Sequence, residues 1–427
     1  LYPSAEQEQF LNRTLGCVRV VWNQVLNWRK ELWDEQKTFG TYLSASKYLT
    51  DLKRQKDFEF LNEVSSVPLQ QALRHQHQAF VNFWQKRANF PRFKARSRRG
   101  SATFAKTAFK IRDGRLHLAK IAEPIRWVWS FDIPVEELDV TSVTIIREPD
   151  GSWWAALCAE LTDEQEPVPP APTGRAVGID LGVHTFGTLS DEDAQPLVAP
   201  DLKRKEANRK RYQRRLARKQ RGSANREKER KKVARAFRKE RQAREDMLQK
   251  ATTRLVREYD TICVEDLNVY GLLKNRRMAV LIQRLGWRRF KALLRAKCAR
   301  AGRRLVEIDR WEPTSKRCSN PECGLVLDEL RLEVRKWTCP GCGTRHDRDL
   351  NAAKNILAAG LAVLAEEQGR NAPPEQSDPA VDKACGACVR PSGHSPPGQR
   401  ALKQEMILSD EVELFPLRGV EIKSGAL

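Results

Sequence analysis

Asp180 closes the run Ala176-Val177-Gly178-Ile179-Asp180, and Glu265 closes Thr261-Ile262-Cys263-Val264-Glu265. Each is a short apolar run ended by an acid, the pattern of a buried strand with a carboxylate at its tip. A third acidic element, His346-Asp347-Arg348-Asp349, precedes Leu350-Asn351-Ala352-Ala353-Lys354-Asn355-Ile356. The apolar and alanine spacing from Leu350 to Leu364 predicts a helix with these acids at its N-terminus. Singly, such an acid is more often a cap or an ion-pair partner. Together, strand Asp, strand Glu and helix Asp form a hard oxygen-ligand set suited to a pair of Mg²⁺ ions. Two ions held on a phosphodiester can activate water and stabilise the leaving oxygen without a covalent intermediate.

The second constellation is Cys318-Ser319-Asn320-Pro321-Glu322-Cys323 and Cys339-Pro340-Gly341-Cys342, a Cys-x4-Cys-x15-Cys-x2-Cys spacing. Four thiolates so spaced make a closed tetrahedral site of the structural zinc type. Gly324 and Gly343, each directly after the second cysteine of a pair, supply the tight turns of a zinc ribbon. An iron–sulfur cluster would bring the cysteines into closer runs. Cys385-Gly386-Ala387-Cys388 has half-site spacing but no companion pair, and it reads as a decoy in a loose tail. Cys17, Cys158, Cys263 and Cys298 stand in apolar contexts and read as core residues. The phrase Gly178-Ile179-Asp180-Leu181-Gly182 also suits the phosphate hairpin of actin- and Hsp70-like ATPases, but the two further glycine-rich motifs those need are missing from the sequence.

The chain that positions these residues has 427 residues, with 77 Lys+Arg against 55 Asp+Glu, a net charge of +22. An apolar fraction of 40% excludes a disordered chain, and no apolar run long enough to span a membrane occurs. No basic-then-apolar leader with a small-residue cleavage site opens the given sequence, so secretion is not expected and the clustered cysteines favour metal over disulfides. Between Lys203 and Arg244 there are 21 Lys/Arg and four acids (Glu206, Glu227, Glu229, Glu240). Gly222, in Arg221-Gly222-Ser223-Ala224-Asn225, marks a turn there, and Leu216, Val233, Phe237, Leu248 and Leu255 recur at loosely helical intervals. The pattern predicts two long helices folded back on each other with basic outer faces. Such a density of cations repels itself without counter-anions, which points to phosphates. Upstream, residues 4–36, 42–52 and 66–87 have helical periodicity, and 90–160 has β-type runs with a hairpin across Pro149-Asp150-Gly151. Phe90-Pro91-Arg92-Phe93-Lys94 opens a basic patch, and Glu166-Pro167-Val168-Pro169-Pro170-Ala171-Pro172 is a stiff linker.

In this order the parts resemble the TnpB (OrfB) proteins of bacterial insertion sequences. The resemblance rests on Gly178-Ile179-Asp180-Leu181-Gly182, Val264-Glu265-Asp266-Leu267-Asn268, the four-cysteine ribbon, and Asp347-Arg348-Asp349-Leu350-Asn351-Ala352-Ala353-Lys354-Asn355-Ile356. Further matches are Lys274-Asn275-Arg276-Arg277, Gly286-Trp287, Trp311-Glu312-Pro313-Thr314-Ser315-Lys316-Arg317-Cys318, Phe90-Pro91-Arg92-Phe93, Ala384-Cys385-Gly386, Val389-Arg390-Pro391-Ser392 and Lys403-Gln404-Glu405. The resemblance implies an RNA-guided DNA endonuclease related to type V CRISPR effectors. Its α/β multidomain fold would join a helical recognition lobe and a β-barrel wedge domain to a RuvC-like nuclease of the ribonuclease H class, interrupted by a zinc ribbon. The implied catalytic, Mg²⁺-holding residues are Asp180, Glu265 and Asp349, with Asp347 a cap or supporting group, and the implied zinc ligands are Cys318, Cys323, Cys339 and Cys342.

The corresponding division is a helical, helix-turn-helix-like lobe over 1–89, wedge 90–165, linker 166–174 and nuclease 175–310 with its basic hairpin at 203–258. The ribbon follows at 311–345, the last nuclease segment at 346–369 and a flexible tail at 370–427. The implied partners are a guide RNA from the element and target DNA, with no membrane, in the bacterial cytoplasm near the nucleoid. Three departures from the family pattern stand out. The chain opens on Leu1 without the family's initial Met and first barrel strand, so a fragment or an unrecognised start codon is expected. Its first cysteine pair is separated by four residues where two are usual, and His184 stands where Lys is frequent. Two other readings are a transposase that joins DNA ends, and a non-cleaving accessory protein that binds RNA and DNA.

Overall fold

The computed structural model describes residues 1–371 except 97, 98, 132, 163, 166, 167 and 332. The expected tail and its Cys385–Cys388 pair therefore lie outside the described residues. The chain divides into two compact units, with the boundary between Glu166 and Pro167 in the proline-rich segment.

The first unit begins with three helices, α1 (Ala5–Gln36), α2 (Tyr42–Arg54) and α3 (Ser66–Trp84). Helix α1 starts on a capping box in which Ser4 and Gln7 satisfy each other's backbone amides. It buries Leu11, Val18, Val21, Trp22, Val25 and Leu26 along one stripe. Five strands follow: β1 (Gly100–Ala105), β2 (Phe109–Arg112), β3 (Arg115–Leu118), β4 (Asp139–Arg147) and β5 (Trp153–Glu160). Strands β4 and β5 pair antiparallel as the hairpin pattern predicted, and β1 joins the other edge of β4.

The expected β-barrel is not formed among the described residues. The strands make an open three-stranded sheet, β1-β4-β5, and a separate β2-β3 ribbon. Closure requires continuous staggered pairing around the ring. Between β3 and β4 the chain instead packs Trp127, Trp129 and Phe131 in series with tilted rings, and among the described residues it makes single bridges, Tyr2 to Arg126 and Leu116 to Ile125. The helical and strand-rich segments do not have separate cores: Val21, Leu69, Leu73, Phe104, Leu116 and Val143 belong to one apolar cluster.

The second unit is built on four strands: β6 (Ala176–Asp180), β7 (Thr188–Leu189), β8 (Thr261–Glu265) and β9 (Arg304–Ile308), ordered β7-β6-β8-β9. Pairs β6-β8 and β8-β9 are parallel, and β7 runs antiparallel to β6. The basic hairpin is present as α4 (Lys203–Ala217) and α5 (Ala224–Glu258). Short helices α6 (Val269–Leu272) and α7 (Arg276–Leu285) lead to α8 (Trp287–Arg300). A small ribbon of β10 (Lys336–Thr338) and β11 (Arg345–Asp347) runs directly into α9 (Arg348–Asn371).

Alternation along the strands sets up two faces. Val177, Ile179, Ile262 and Val264 pack with Leu248, Leu255, Phe290 and Leu294 of α5 and α8. On the opposite face Cys263 and Val306 meet Ile356 and Leu357 of α9. The sheet is thus covered on both sides, which is why its strands read as continuous apolar runs.

Candidate active site and metal ribbon

Parallel pairing brings the two strand acids together. Ile179 is level with Val264, so one step further Asp180 stands beside Glu265 on the neighbouring strand, and adjacent strands are about 4.8 Å apart. Both side chains share the face of Gly178 and Cys263, the face covered by α9.

Two glycines let α9 lie directly on that face. A Cβ on Gly178 would sit 2.1 Å from the Ala353 carbonyl oxygen and 2.6 Å from the Leu357 nitrogen. A Cβ on Gly360 would sit 2.3 Å from the Cys263 sulfur. Ala353 therefore rests on Gly178. Asp349 is one helical turn nearer the α9 N-terminus, about 6 Å, and Asp180 is two strand residues beyond Gly178, about 7 Å. The third acid is thereby carried toward the first two.

The electrostatics register this convergence. Burial, then the Glu265 carboxylate, then that of Asp349 push the Asp180 carboxyl up to about 7, with Arg348 and Arg335 opposing them. Asp349 also pairs with Arg335, Nη1 to Oδ1 3.3 Å, and Glu265 Oε1 accepts a 2.6 Å hydrogen bond from the Thr314 hydroxyl.

The neighbouring acids are otherwise engaged. Asp347 Oδ1 accepts the backbone N–H groups of Asp349 (3.1 Å) and Leu350 (3.2 Å), capping α9. Asp266 pairs with Lys291 (3.5 Å) and with Arg310. Asp180, which is partly buried, Glu265 and Asp349 are near enough to act on one another electrostatically, and they are oxygen donors of the type a hard divalent cation takes. Among the described residues, however, only the four ribbon cysteines bring a cluster of metal-ligand atoms all within 4.8 Å of one another.

The four ribbon cysteines also meet. Their sulfurs all lie within 4.8 Å of one another, with Cys318–Cys342 and Cys323–Cys339 each at 3.6 Å. Sulfurs 2.3 Å from a central ion in a tetrahedron are about 3.8 Å apart, so the cluster fits Zn²⁺. The extra length of the first knuckle is absorbed in a turn: the Cys323 and Gly324 amides both bond the Asn320 carbonyl, and Gly324 takes φ +59°. The Thr344 hydroxyl and backbone amide hold the Cys342 thiol at about 6, favouring the thiolate a metal needs. His346 Nε2 lies 3.1 Å from Cys318 Sγ, its ring packed on Trp337. Of the four isolated cysteines, Cys17, Cys263 and Cys298 are buried and Cys158 is partly so.

The hairpin's few acids are structural. Glu240 grips Arg209 through two bonds, 2.9 and 3.0 Å, and Glu229 lies against Lys232 and Arg215. Val233, Leu248 and Leu255 are buried, but Phe237 is a partly exposed ring under the Arg209 guanidinium. Lys210, Arg214, Lys228, Lys231 and Arg235 are exposed on the two helices. No described helix is long and apolar enough to cross a membrane.

Two residues of the site had no signal in residue type or spacing. Arg335 comes from beside β10, and Thr314 from the phrase leading into the ribbon.

A mostly parallel sheet covered by helices on both faces, with acids at two of its strand ends, joined to a four-cysteine ribbon, defines a class that comparison makes specific. Residues 157–276 match the family model described as "Probable transposase" (OrfB of the IS605 type), 287–356 the Cas12f1-like TNB domain, and 1–38 the helix-turn-helix domain of OrfB. In this structure the last of these is mostly one unbroken helix, α1. A Streptomyces pristinaespiralis protein named "Putative RNA-guided DNA endonuclease" is 44% identical over 408 residues, covering 95% of this chain and 94% of its own. The similarly named InsQ of Escherichia coli K12 is 28% identical, covering 86% and 92%. The cryo-EM structure titled as the Cas12f1-sgRNA-target DNA complex shares the fold at 14% identity, with a TM-score of 0.50 over 83% of each chain. This chain belongs to the TnpB/OrfB family of insertion-sequence proteins.

Proposed function

We propose that the chain is a transposon-encoded, RNA-guided DNA endonuclease that hydrolyses phosphodiester bonds with Mg²⁺ held by Asp180, Glu265 and Asp349. The observation that carries this reading is the register that sets Asp180 and Glu265 at the ends of neighbouring parallel strands, with α9 and its Asp349 packed on the same face. The partly buried Asp180 carboxyl is raised to about 7 by its surroundings and by the two other acids. Carboxylates so placed repel one another unless cations join them. Bound there, a pair of divalent ions supplies Lewis acidity on both sides of a scissile phosphate.

The chain's own residues account for the rest. Asp180 and Glu265 are fixed by strand register, and Asp349 by the packing of α9 on Gly178. Arg335 and Arg348 add positive charge at the edge where a nucleic-acid strand would enter. The exposed cations of α4 and α5 suit the phosphates of a guide–target heteroduplex, reading backbone while base pairing reads sequence. The names borne by the relatives agree with a guide RNA and target DNA as partners.

The test is cleavage of a plasmid carrying the guide's target, by protein loaded with RNA transcribed from its own element. Cutting should require the RNA and Mg²⁺ and stop with EDTA. Asp180→Ala and Glu265→Ala should each abolish it while RNA binding persists. Wild-type cutting by Asp180→Ala would remove the site assignment. Joining of element ends without RNA would support the transposase reading instead.

A further inference from the structure

From the geometry we infer that Thr314 is a positioning residue for Glu265, held in place by Asn351 and Asn355 of α9; the inference rests on the reading of Glu265 as a metal-holding acid. Thr314 is 5% exposed. Its hydroxyl donates to Glu265 Oε1 at 2.6 Å. The bond restrains the rotation of the carboxylate through one of its two oxygens. Threonine has a single hydroxyl proton to donate, and here Glu265 receives it.

The backbone around Thr314 is clamped from α9. Asn355 Nδ2 donates to the carbonyls of Thr314 (2.8 Å) and Arg317 (2.7 Å). Asn351 Nδ2 donates to the same two carbonyls, at 3.4 and 2.8 Å, while its Oδ1 accepts the Ser319 N–H at 3.0 Å. Both asparagines are buried, 1% and 6% exposed, and they lie one helical turn apart on one face. The clamped turn runs from Pro313, whose carbonyl accepts the Lys316 and Arg317 amides, into Cys318 of the ribbon. One helix therefore carries Asp349 and also grips the segment that orients Glu265. The first cysteine of the ribbon lies between the two gripped residues, Arg317 and Ser319. The four-residue spacing of the asparagines makes this a single rigid coupling of acid, helix and ribbon.

The experiment compares Thr314→Val, which keeps the shape and loses the hydroxyl, with Thr314→Ser, which keeps the hydroxyl, in the full chain. The first readout needs no turnover: the Mn²⁺ dependence of the melting temperature without nucleic acid. Thr314→Val should need about tenfold more Mn²⁺ or above for its half-maximal shift, the scale of removing a ligand's supporting partner, and Thr314→Ser should follow wild type. The second is guide-dependent cleavage, where Thr314→Val should slow the rate at saturating Mg²⁺ by about 10–100-fold with unchanged RNA binding, and Thr314→Ser should restore it. Equal impairment of the Ser and Val variants would reduce Thr314 to packing and overturn the inference, as would wild-type behaviour of Thr314→Val. Glu265→Gln separates the two readings. If it leaves the Mn²⁺ shift and cleavage intact, the metal-holding role of Glu265 fails. If it abolishes both while Thr314→Val does nothing, only the positioning role fails.

Discussion

Asp180 shows what it costs a fold to hold one carboxyl beside others. Its ordinary carboxyl value is 3.8, and in the fold it is raised to about 7. Between these values the unfolded chain has released the proton and the folded chain still binds it. Stability therefore falls as pH rises from about 4 to 7, and above 7 the full cost remains. That cost is at most about 4 kcal/mol. Asp180→Asn should accordingly raise the melting temperature of the divalent-free protein at pH 8 while leaving it little changed at pH 4, and should abolish cleavage at every pH. Thermal scans in EDTA across that range check this, and an equal effect of the substitution at both ends would mean that Asp180 does not carry the charge burden. The same scale decides between neighbouring acids. Asp347 and Asp349 are equivalent in type and two residues apart, but only the former has its oxygen taken by the amides of the first helical turn.

At the scale of elements, the site depends on how closely α9 lies on the sheet. The atoms that a Cβ at Gly178 would strike are backbone, which cannot turn aside, whereas at Gly360 they belong to the Cys263 side chain. Gly178→Ala should lower stability by about 1–3 kcal/mol and reduce cleavage, because the helix must lift and take Asp349 with it. Gly360→Ala should also destabilise, and Cys263→Ala in the same chain should recover part of the loss by removing the sulfur, the Cys263 Cβ at 2.8 Å being retained. Denaturant unfolding of the two single variants and the pair measures this, and a failure of the pair to recover would place the strain elsewhere. Periodicity made α9, β6 and β8 legible in the sequence. The contact of glycine with helix backbone was not, because it joins residues about 175 positions apart in the chain. Thr314 escaped for the same reason: it lies 49 residues from Glu265. Nothing local to a threonine in Pro313-Thr314-Ser315 says which acid it will face.

For the whole molecule, the net charge of +22 is concentrated in the α4–α5 hairpin. Replacing Lys210, Arg214, Lys228 and Arg235 by Ala should weaken binding of any nucleic-acid sequence to a similar degree. Each phosphate deprived of its cation should flatten the slope of log affinity against log salt by about 0.7–0.9. Filter binding over a salt series tests it, and an unchanged slope would mean that these cations do not touch phosphate. The hairpin itself could be read from the chain, since a turn glycine between two proline-free charged stretches is a local signal. The wedge could not. Short alternating runs name strands without naming their partners, and the barrel expected for 90–165 opens into a three-stranded sheet and a ribbon whose apolar side is closed by α1 and α3. What the amino-acid order determined alone was whatever near neighbours dictate: helix and strand periods, acids at strand tips, cysteine spacing and the place of the charge. Which strands pair, how closely α9 lies on the sheet, and which hydroxyl bonds Glu265 were decided by tertiary structure. Those choices rest on interactions between distant segments, whose free energy is gained only once the chain has folded.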